Sequence, residues 1–441
     1  MMRRSRWPVV IGPRGIALLL ALAVLVALAG FVIGTRPALA LEAVVFVAAL
    51  IADVLLTQEA PHIAVAIPPH LALAKHDALH YTIANRAATV RRVAIFASPA
   101  ARLATSEAPA YATVAARTEV TATIPFVPRE RGSTTIPPAF VWSESTLGIV
   151  RRRYVLGDAV AVRVMPDLSA LERGDLARRS RLIDLGLRRL RRRGVGSEFE
   201  SLREYGPGDA FRAIDWKATA RRGKLMVTQR EVERSQSIVV ALDAGRLMAA
   251  RLGDRRKLDY AVSAALAIAK IAQLADDRVS LHAFSDRTLA SVPGKTGPGH
   301  IARFADALTD LEPSYVEADY ERAALEIKVH NRKRSLVVVF TDLVDPVAST
   351  AVLGSLALLV PQHLVLVVLM NDAAIATALD RDPQTTSDVY RSAVATALGA
   401  ERARAIALLG ERGIGVVDVP ARDLTIALLD AYVTIKTRGL I

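Results

Sequence analysis

The 441 residues contain no cysteine. That excludes disulfides, cysteine-ligated zinc, iron–sulfur clusters and any thiol nucleophile, and it fits a reducing compartment. Catalytic signatures are almost as scarce. There is no G-x-S-x-G elbow. GKTGPG, Gly294 to Gly299, looks like a phosphate loop, but that pattern needs a glycine where Leu289 stands. His76 and His80 in HDALH have the i, i+4 spacing of a zinc helix. Asp77 replaces the required glutamate and the surroundings are strand-like, so they read as scattered surface histidines.

Apolar residues and positive charge are abundant. Apolar residues make up 52% and mean hydropathy is +0.30, high for a wholly soluble protein. The net charge of +13 and pI near 10.2 favour contact with something anionic. IALLLALAVLVALAGFVI, Ile16 to Ile33, carries no charge and spans about 27 Å as a helix, near the hydrocarbon thickness. A second apolar run, Ala38 to Leu56, follows a link containing Pro37. The first run has no clean small-x-small cleavage site, and the second run argues for a helical hairpin over a signal peptide. Arg3, Arg4, Arg6 and Arg14 precede the first helix, whereas the link holds only Arg36. The positive-inside rule then puts the N-terminus and everything after Leu56 in the cytoplasm, on a two-pass inner-membrane protein. Glu42 and Asp53 lie about three turns apart on one face of the second run. They read as interfacial carboxylates snorkelling to water, with a face for a partner helix or an ion as the alternative.

Beyond residues 1–57, three regions separate. Residues 62–166 hold short β-rich runs between turn residues, among them LHYTIA, VRRVAIF, TEVTATIPFV, PAFVWS and YVLGDAVAVRV. They predict an antiparallel sandwich. Residues 167–235 open on an arginine-rich stretch. From Arg151 to Arg193 the chain has thirteen arginines, no lysine and five acidic residues, and LARRSRLIDLGLRRLRRR has helical leucine spacing. A solvated linker helix, an anionic-lipid contact and a nucleic-acid stripe are its three readings. From residue 236 to 441, apolar strands alternate with helices: SIVVALD, RVSLHAF paired with TLASV, SLVVVFTD, HLVLVVLM and IGVVDVP. This predicts a mostly parallel sheet covered on both faces, with Asp243 and Asp342 at strand ends where ligands bind.

Between the arginine stretch and the sheet stands GVGSEFESLREYGPGDAFRAIDWKATARRGKLMV, Gly194 to Val227. Gly206, Pro207 and Gly208 permit a tight turn, and Asp209 can cap the next element. Arg203, Arg212 and Arg221 offer planar donors to Glu204, Asp209 and Asp215, while Tyr205 and Trp216 supply contact area beside Lys217. These groups either satisfy one another and lock the segment, or face a partner; both can hold together.

Gly196, Glu198-Phe199, Leu202-Arg203-Glu204-Tyr205, Pro207-Gly208-Asp209 and Ile214-Asp215-Trp216-Lys217 resemble the signature of the bacterial and archaeal domain-of-unknown-function 58 family. The resemblance implies two membrane helices, a β-rich region and a von Willebrand factor type A-like α/β domain. It also implies a neighbouring MoxR-type AAA+ ATPase as partner. Domains of that type often hold a divalent ion through Asp-x-Ser-x-Ser after the first strand, a loop threonine and a later aspartate. Here Asp243-Ala244-Gly245-Arg246-Leu247 lacks both serines, the later aspartate is Asp342, and Arg246 would bring positive charge to the ion's place. Too few oxygens remain for a hard-cation cage such as one for Mg²⁺, so no cofactor is expected. The expected function is a membrane-tethered, cytoplasm-facing scaffold or adaptor rather than an enzyme. It would contact the ATPase and membrane lipids, and no nucleic acid. The alternatives are a metal-assisted hydrolase using Asp243 and Asp342, or a lipid- or nucleic-acid-binding regulator using the arginine helix.

Overall fold

The residues ahead of the first apolar helix form a strand. β1 (Met2–Ile11) pairs antiparallel with β11 (Val150–Leu156), Val10 opposite Arg151 and Ile11 opposite Val150. Sequence reading treats these residues as a basic tail; the β-branched run Val9, Val10, Ile11 is what suits them to a sheet. The computed structural model describes residues 2–57, 60–68, 70–98, 100–167, 198–206, 209, 211–231, 236–343, 346–372, 378 and 384–440. They fall into two units, Met1–Met165 and Pro166–Ile441.

In the first unit, β1 leads into α1 (Pro13–Ile33), which has proline at its start, and α2 (Thr35–Leu56) lies against it. α2 begins before Pro37 because proline is tolerated in a first turn. Thr35–Leu56 is long and apolar enough to cross a membrane, with mean hydropathy 2.5, and α1 is apolar over Pro13–Leu28.

Three sheets follow. β2 (His62–Ala66), β4 (Asp77–Ala84), β8 (Glu119–Pro128) and β6 (Leu103–Thr105) make one antiparallel sheet. A second runs in the order β1, β11, β10 (Ala139–Glu144), β5 (Arg91–Phe96), β7 (Ala110–Val114), antiparallel throughout. β3 (His70–Ala72), β12 (Val160–Met165) and β9 (Gly132–Ile136) form the third, with β3 parallel to β12. Alternate residues point inward, and Tyr81, Ile83, Ile95, Phe126, Val141 and Val164 from all three sheets share one apolar core. YVLGDAVAVRV, read as one run, divides at Gly157, where φ is +74°, into β11 and β12. His80 stands in a strand, and both it and His76 are exposed, so the pair has no helical geometry.

Asp53 departs from the snorkelling expectation: it is fully buried. Its carboxylate accepts the backbone amides of Leu147 at 2.9 Å and of Ile149 and Val150 at 3.1 Å, and the hydroxyl of Ser145. Arg152 donates to the carbonyl of Val54 at 2.7 Å, a cation on the last turn of a helix. The acidic residue in the apolar run thus holds the β10–β11 turn rather than reaching for water.

The second unit opens with a hairpin, β13 (Glu198–Glu204) and β14 (Met226–Glu231), enclosing α3 (Trp216–Arg222). The arginine-rich run at 176–193, with Gly194, Gly196, Pro207 and Gly208, lies outside the described residues. After β15 (Ser237–Asp243) comes a two-residue ribbon of β16 (Arg251–Leu252) and β17 (Arg255–Arg256). The rest alternates: α4 (Lys257–Leu274), β18 (Arg278–Phe284), β19 (Thr288–Lys295), α5 (Pro298–Thr309), α6 (Tyr320–His330), β20 (Leu336–Phe340), α7 (Pro346–Ala357), β21 (Leu364–Asn371), α8 (Thr386–Glu411), β22 (Gly415–Pro420) and α9 (Leu424–Arg438).

The six main strands lie in the order β19-β18-β15-β20-β21-β22. All neighbours are parallel except the β18–β19 hairpin. Strand β15 shows why its run is wholly apolar: Ile238, Val240 and Leu242 pack under α4, α5 and α9, while Val239 and Ala241 pack under α6, α7 and α8. Chain order reverses between β15 and β20, and a crevice at that switch point is where such sheets place ligands.

Candidate functional site

Asp243 ends β15, and Asp342 follows β20 across the switch point. Both are buried. One oxygen of Asp243 accepts the amide of Gly245 at 2.7 Å; the other accepts the hydroxyls of Tyr320 at 2.5 Å and Thr341 at 2.9 Å. A Cβ at position 245 would meet the Asp243 carboxylate and the Val316 carbonyl at 3.0 Å, so this turn needs glycine. Burial pushes the Asp243 carboxyl above its ordinary range against those three donors. Burial, then the neighbouring Asp243 charge, pushes the Tyr320 phenol well up, so it stays a donor.

Asp342 is held by cations. Lys257, from the first turn of α4, donates to one oxygen; Arg402 of α8 donates to the other at 2.7 Å, and the amide of Leu343 joins it at 2.9 Å. Arg402 also forks onto Asp418 of β22 at 2.8 and 3.1 Å. Burial works against its charge, but Asp418 and Asp342 outweigh that and hold its pKa above the usual value. Arg246 is not the cation in the crevice: it turns outward to Glu317, at 2.5 and 2.9 Å. The positive charge comes from Lys257 and Arg402, which sequence reading missed. Lys257 looks like an ordinary first-turn residue of an apolar helix, and Arg402 lies sixty residues from Asp342 in sequence. Only Thr341, beside Asp342 in TDLVD, carried a visible signal.

These residues do not fit a divalent cation. A hard cation takes six or more oxygens at about 2.3 Å, yet each carboxylate oxygen here already accepts a donor and two cations stand at Asp342. The arrangement ties β15, β20, β22, α4, α6 and α8 together through charge.

The segment from Arg203 to Lys224 divides in two. Arg203 forks onto Asp209 at 2.6 and 2.8 Å, and the same carboxylate accepts the Gly206 amide at 2.8 Å. The Arg203 and Gly206 hydrogen bonds hold the Asp209 carboxyl below its usual range. Tyr205 donates to the Asp209 carbonyl at 3.3 Å, and Lys224 pairs with Glu204 at 2.9 Å. Asp209 therefore closes its own turn rather than capping a helix. The cap is Asp215, which accepts the Ala218 amide at 2.9 Å at the start of α3.

The other half faces solvent. Phe211 and Trp216 meet edge to face at 6.0 Å and remain 69% and 60% exposed. Arg212, Lys217 and Arg221 stand near them in the chain, exposed and with no ion pair among the described residues. Sequence reading overlooked Phe211, which nothing in its surroundings marks as a partner for Trp216.

The model of the family described as "Protein of unknown function DUF58" matches residues 201–386. That range takes in Arg203 to Lys224 and both aspartates, and stops before Arg402. Uncharacterized protein Rv1480 of Mycobacterium tuberculosis H37Rv is 27% identical over 156 residues, 35% of this chain and 49% of that one. Uncharacterized protein YeaD of Bacillus subtilis is 46% identical over 43 residues, 10% of this chain and 11% of that one. The chain spans about half the length (49%) of the mycobacterial relatives it matches. A solved structure of WR4, a C. elegans MSP family member, covers 24% of this chain and 96% of that one at 11% identity, with a TM-score of 0.16, too low to establish a shared fold.

Proposed function

We propose that this chain is a membrane-anchored scaffold that presents Phe211, Trp216 and their surrounding cations to a protein partner. The carrying observation is the aromatic pair left 69% and 60% exposed on a segment whose Arg203, Glu204, Asp209 and Asp215 are tied down. A rigid frame holding aromatics and arginines in solvent is how interface hot spots are built. From the resemblance to the domain-of-unknown-function 58 signature we infer a MoxR-type AAA+ ATPase as the partner, and assembly or remodelling rather than catalysis as the role. Against a hydrolase, the polar groups of the crevice are spent on one another.

The strand order supports a von Willebrand factor type A-like reading of residues 236–441, in a form where Lys257 and Arg402 stand in for a metal. For the membrane, β1 and β11 share a sheet although α1 and α2 come between them. That pairing supports two crossings, which keep both strands on one side, and the arginine asymmetry supports the cytoplasm as that side.

The test is binding of the purified full chain to the purified ATPase. Trp216→Ala should weaken it by about thirtyfold, the worth of one desolvated anchor near 2 kcal/mol, and Arg212→Glu should weaken it at an unchanged melting temperature. Full-strength binding by a normally folded Arg212→Glu and Trp216→Ala would overturn the proposal.

A further inference from the structure

The outward face of the sheet that contains β1 carries arginines and aromatics separate from the partner face proposed around Phe211 and Trp216. Pairing register lays them out in rows. Arg92 stands opposite Thr113 and 3.7 Å from Glu144, which is opposite Arg151 and paired with it at 2.7 Å; Val10 continues the row. The next row is Tyr111, Ala94, Trp142 and Arg153, and beyond it Phe96 stands opposite Phe140. The Arg153 guanidinium sits 4.3 Å over the Phe140 ring, and Trp142 lies 5.8 Å from Phe96. A shallow groove runs between Arg92, Tyr111, Trp142 and Arg151. Its charge is one-sided: the three arginines of these rows face one carboxylate, Glu144.

The place of this face along the chain matters more than its composition. β1 passes through Gly12 directly into α1. β10 ends at Glu144, one residue before the turn that Asp53 of α2 holds. The Arg92–Arg151 row therefore adjoins the ends of both apolar helices, and the Trp142 row lies roughly 7 Å further along the strands. A headgroup layer is roughly 5 to 7 Å deep on each leaflet. Val9, Val10 and Ile11 are exposed on the same stretch. Tryptophan and tyrosine favour that depth, and arginine forks onto phosphate.

We propose that this face binds the phosphate headgroups of anionic phospholipids, Arg92 and Arg151 taking the phosphate and Tyr111 and Trp142 lying at headgroup depth. The inference rests on the membrane reading above. It assigns lipid contact to the sheet next to the helices rather than to residues 176–193.

The test uses the full chain with Trp142 as its sole tryptophan, after Trp7→Phe and Trp216→Phe. It is placed in phosphatidylcholine vesicles with or without 30 mol% phosphatidylglycerol, each doped with a headgroup-labelled quencher lipid. Quenching of Trp142 should be about twofold stronger with phosphatidylglycerol. Arg92→Gln with Arg151→Gln should return it to the phosphatidylcholine level, and high salt should weaken it. Equal quenching in both vesicles, unmoved by the substitutions in a chain that resists carbonate extraction, overturns the headgroup site and leaves the membrane reading intact. Such a result would leave an acidic protein as the ligand of this face. Phosphatidylglycerol-dependent quenching in a chain that carbonate removes would sustain the headgroup site and sink the spanning helices.

Discussion

Asp53, in the last turn of an apolar helix, accepts the amide of Val150, ninety-seven residues later, at 3.1 Å. Leu147 and Ile149 share the same carboxylate. Asp53→Ala strands the buried amide of Ile149, leaves that of Val150 to the Ser145 hydroxyl and strips the half-buried amide of Leu147, so at about 1–3 kcal/mol per stranded buried group the first unit should lose about 2 kcal/mol or more. Ser145→Ala should cost about 1 kcal/mol. Urea unfolding of the full chain in detergent measures both, and equal midpoints for wild type and Asp53→Ala would show that the turn is held by something else.

Magnesium should leave the second unit unmoved. With Lys257 and Arg402 on Asp342, millimolar Mg²⁺ is expected to shift the melting temperature by less than about 1 °C, and Lys257→Met to cost about 3 kcal/mol through the carboxylate it abandons. A rise of several degrees with Mg²⁺, lost in Asp243→Ala, would refute the internal-cation reading and revive metal chemistry in the crevice.

Two buried histidines set a pH limit. Burial lowers the pKa of His282 and of His363 below the ordinary 6.5. Above pH 6.5 both are neutral folded or unfolded, so their contribution is fully present. As pH falls below 6.5 the unfolded chain takes up protons the fold resists, and stability drops toward the folded pKa values. The loss is at most about 1.4 kcal/mol per pH unit for each histidine. Neither ring nitrogen of His363 has a partner among the described residues, so His363→Leu should flatten the melting temperature between pH 7 and 5. An unchanged slope would rule His363 out.

Topology gives the fourth expectation. A reporter fused after Ile441 should be active only in the cytosol; activity on the outer face would reverse the assignment made from Arg3, Arg4, Arg6 and Arg14.

Much of the second unit was legible because its strands are buried on both faces and therefore read as unbroken apolar runs, SIVVALD and HLVLVVLM among them. β1 was not, since seven residues that include three arginines, Arg3, Arg4 and Arg6, come before its β-branched end. Asp243 and Asp342 could be found because each closes a strand. Their partners Tyr320, Lys257 and Arg402 come from three different helices, and only tertiary packing brings them in. Asp53 misled for the same reason: a carboxylate in an apolar run implies water until a distant turn supplies amides.

The sheet that spans both sides of the helix pair also has an order of manufacture. β1 is synthesised before α1 and α2, yet the strand that covers it, Val150–Leu156, is made only after the other strands from β2 to β10. Until then β1 waits with an open edge, the kind that invites pairing with the wrong chain. Closing so distant a pair is slow. Translation that stalls before Val150 would therefore leave the two apolar helices with a bare strand beside them, ready for a second nascent copy or for a protease.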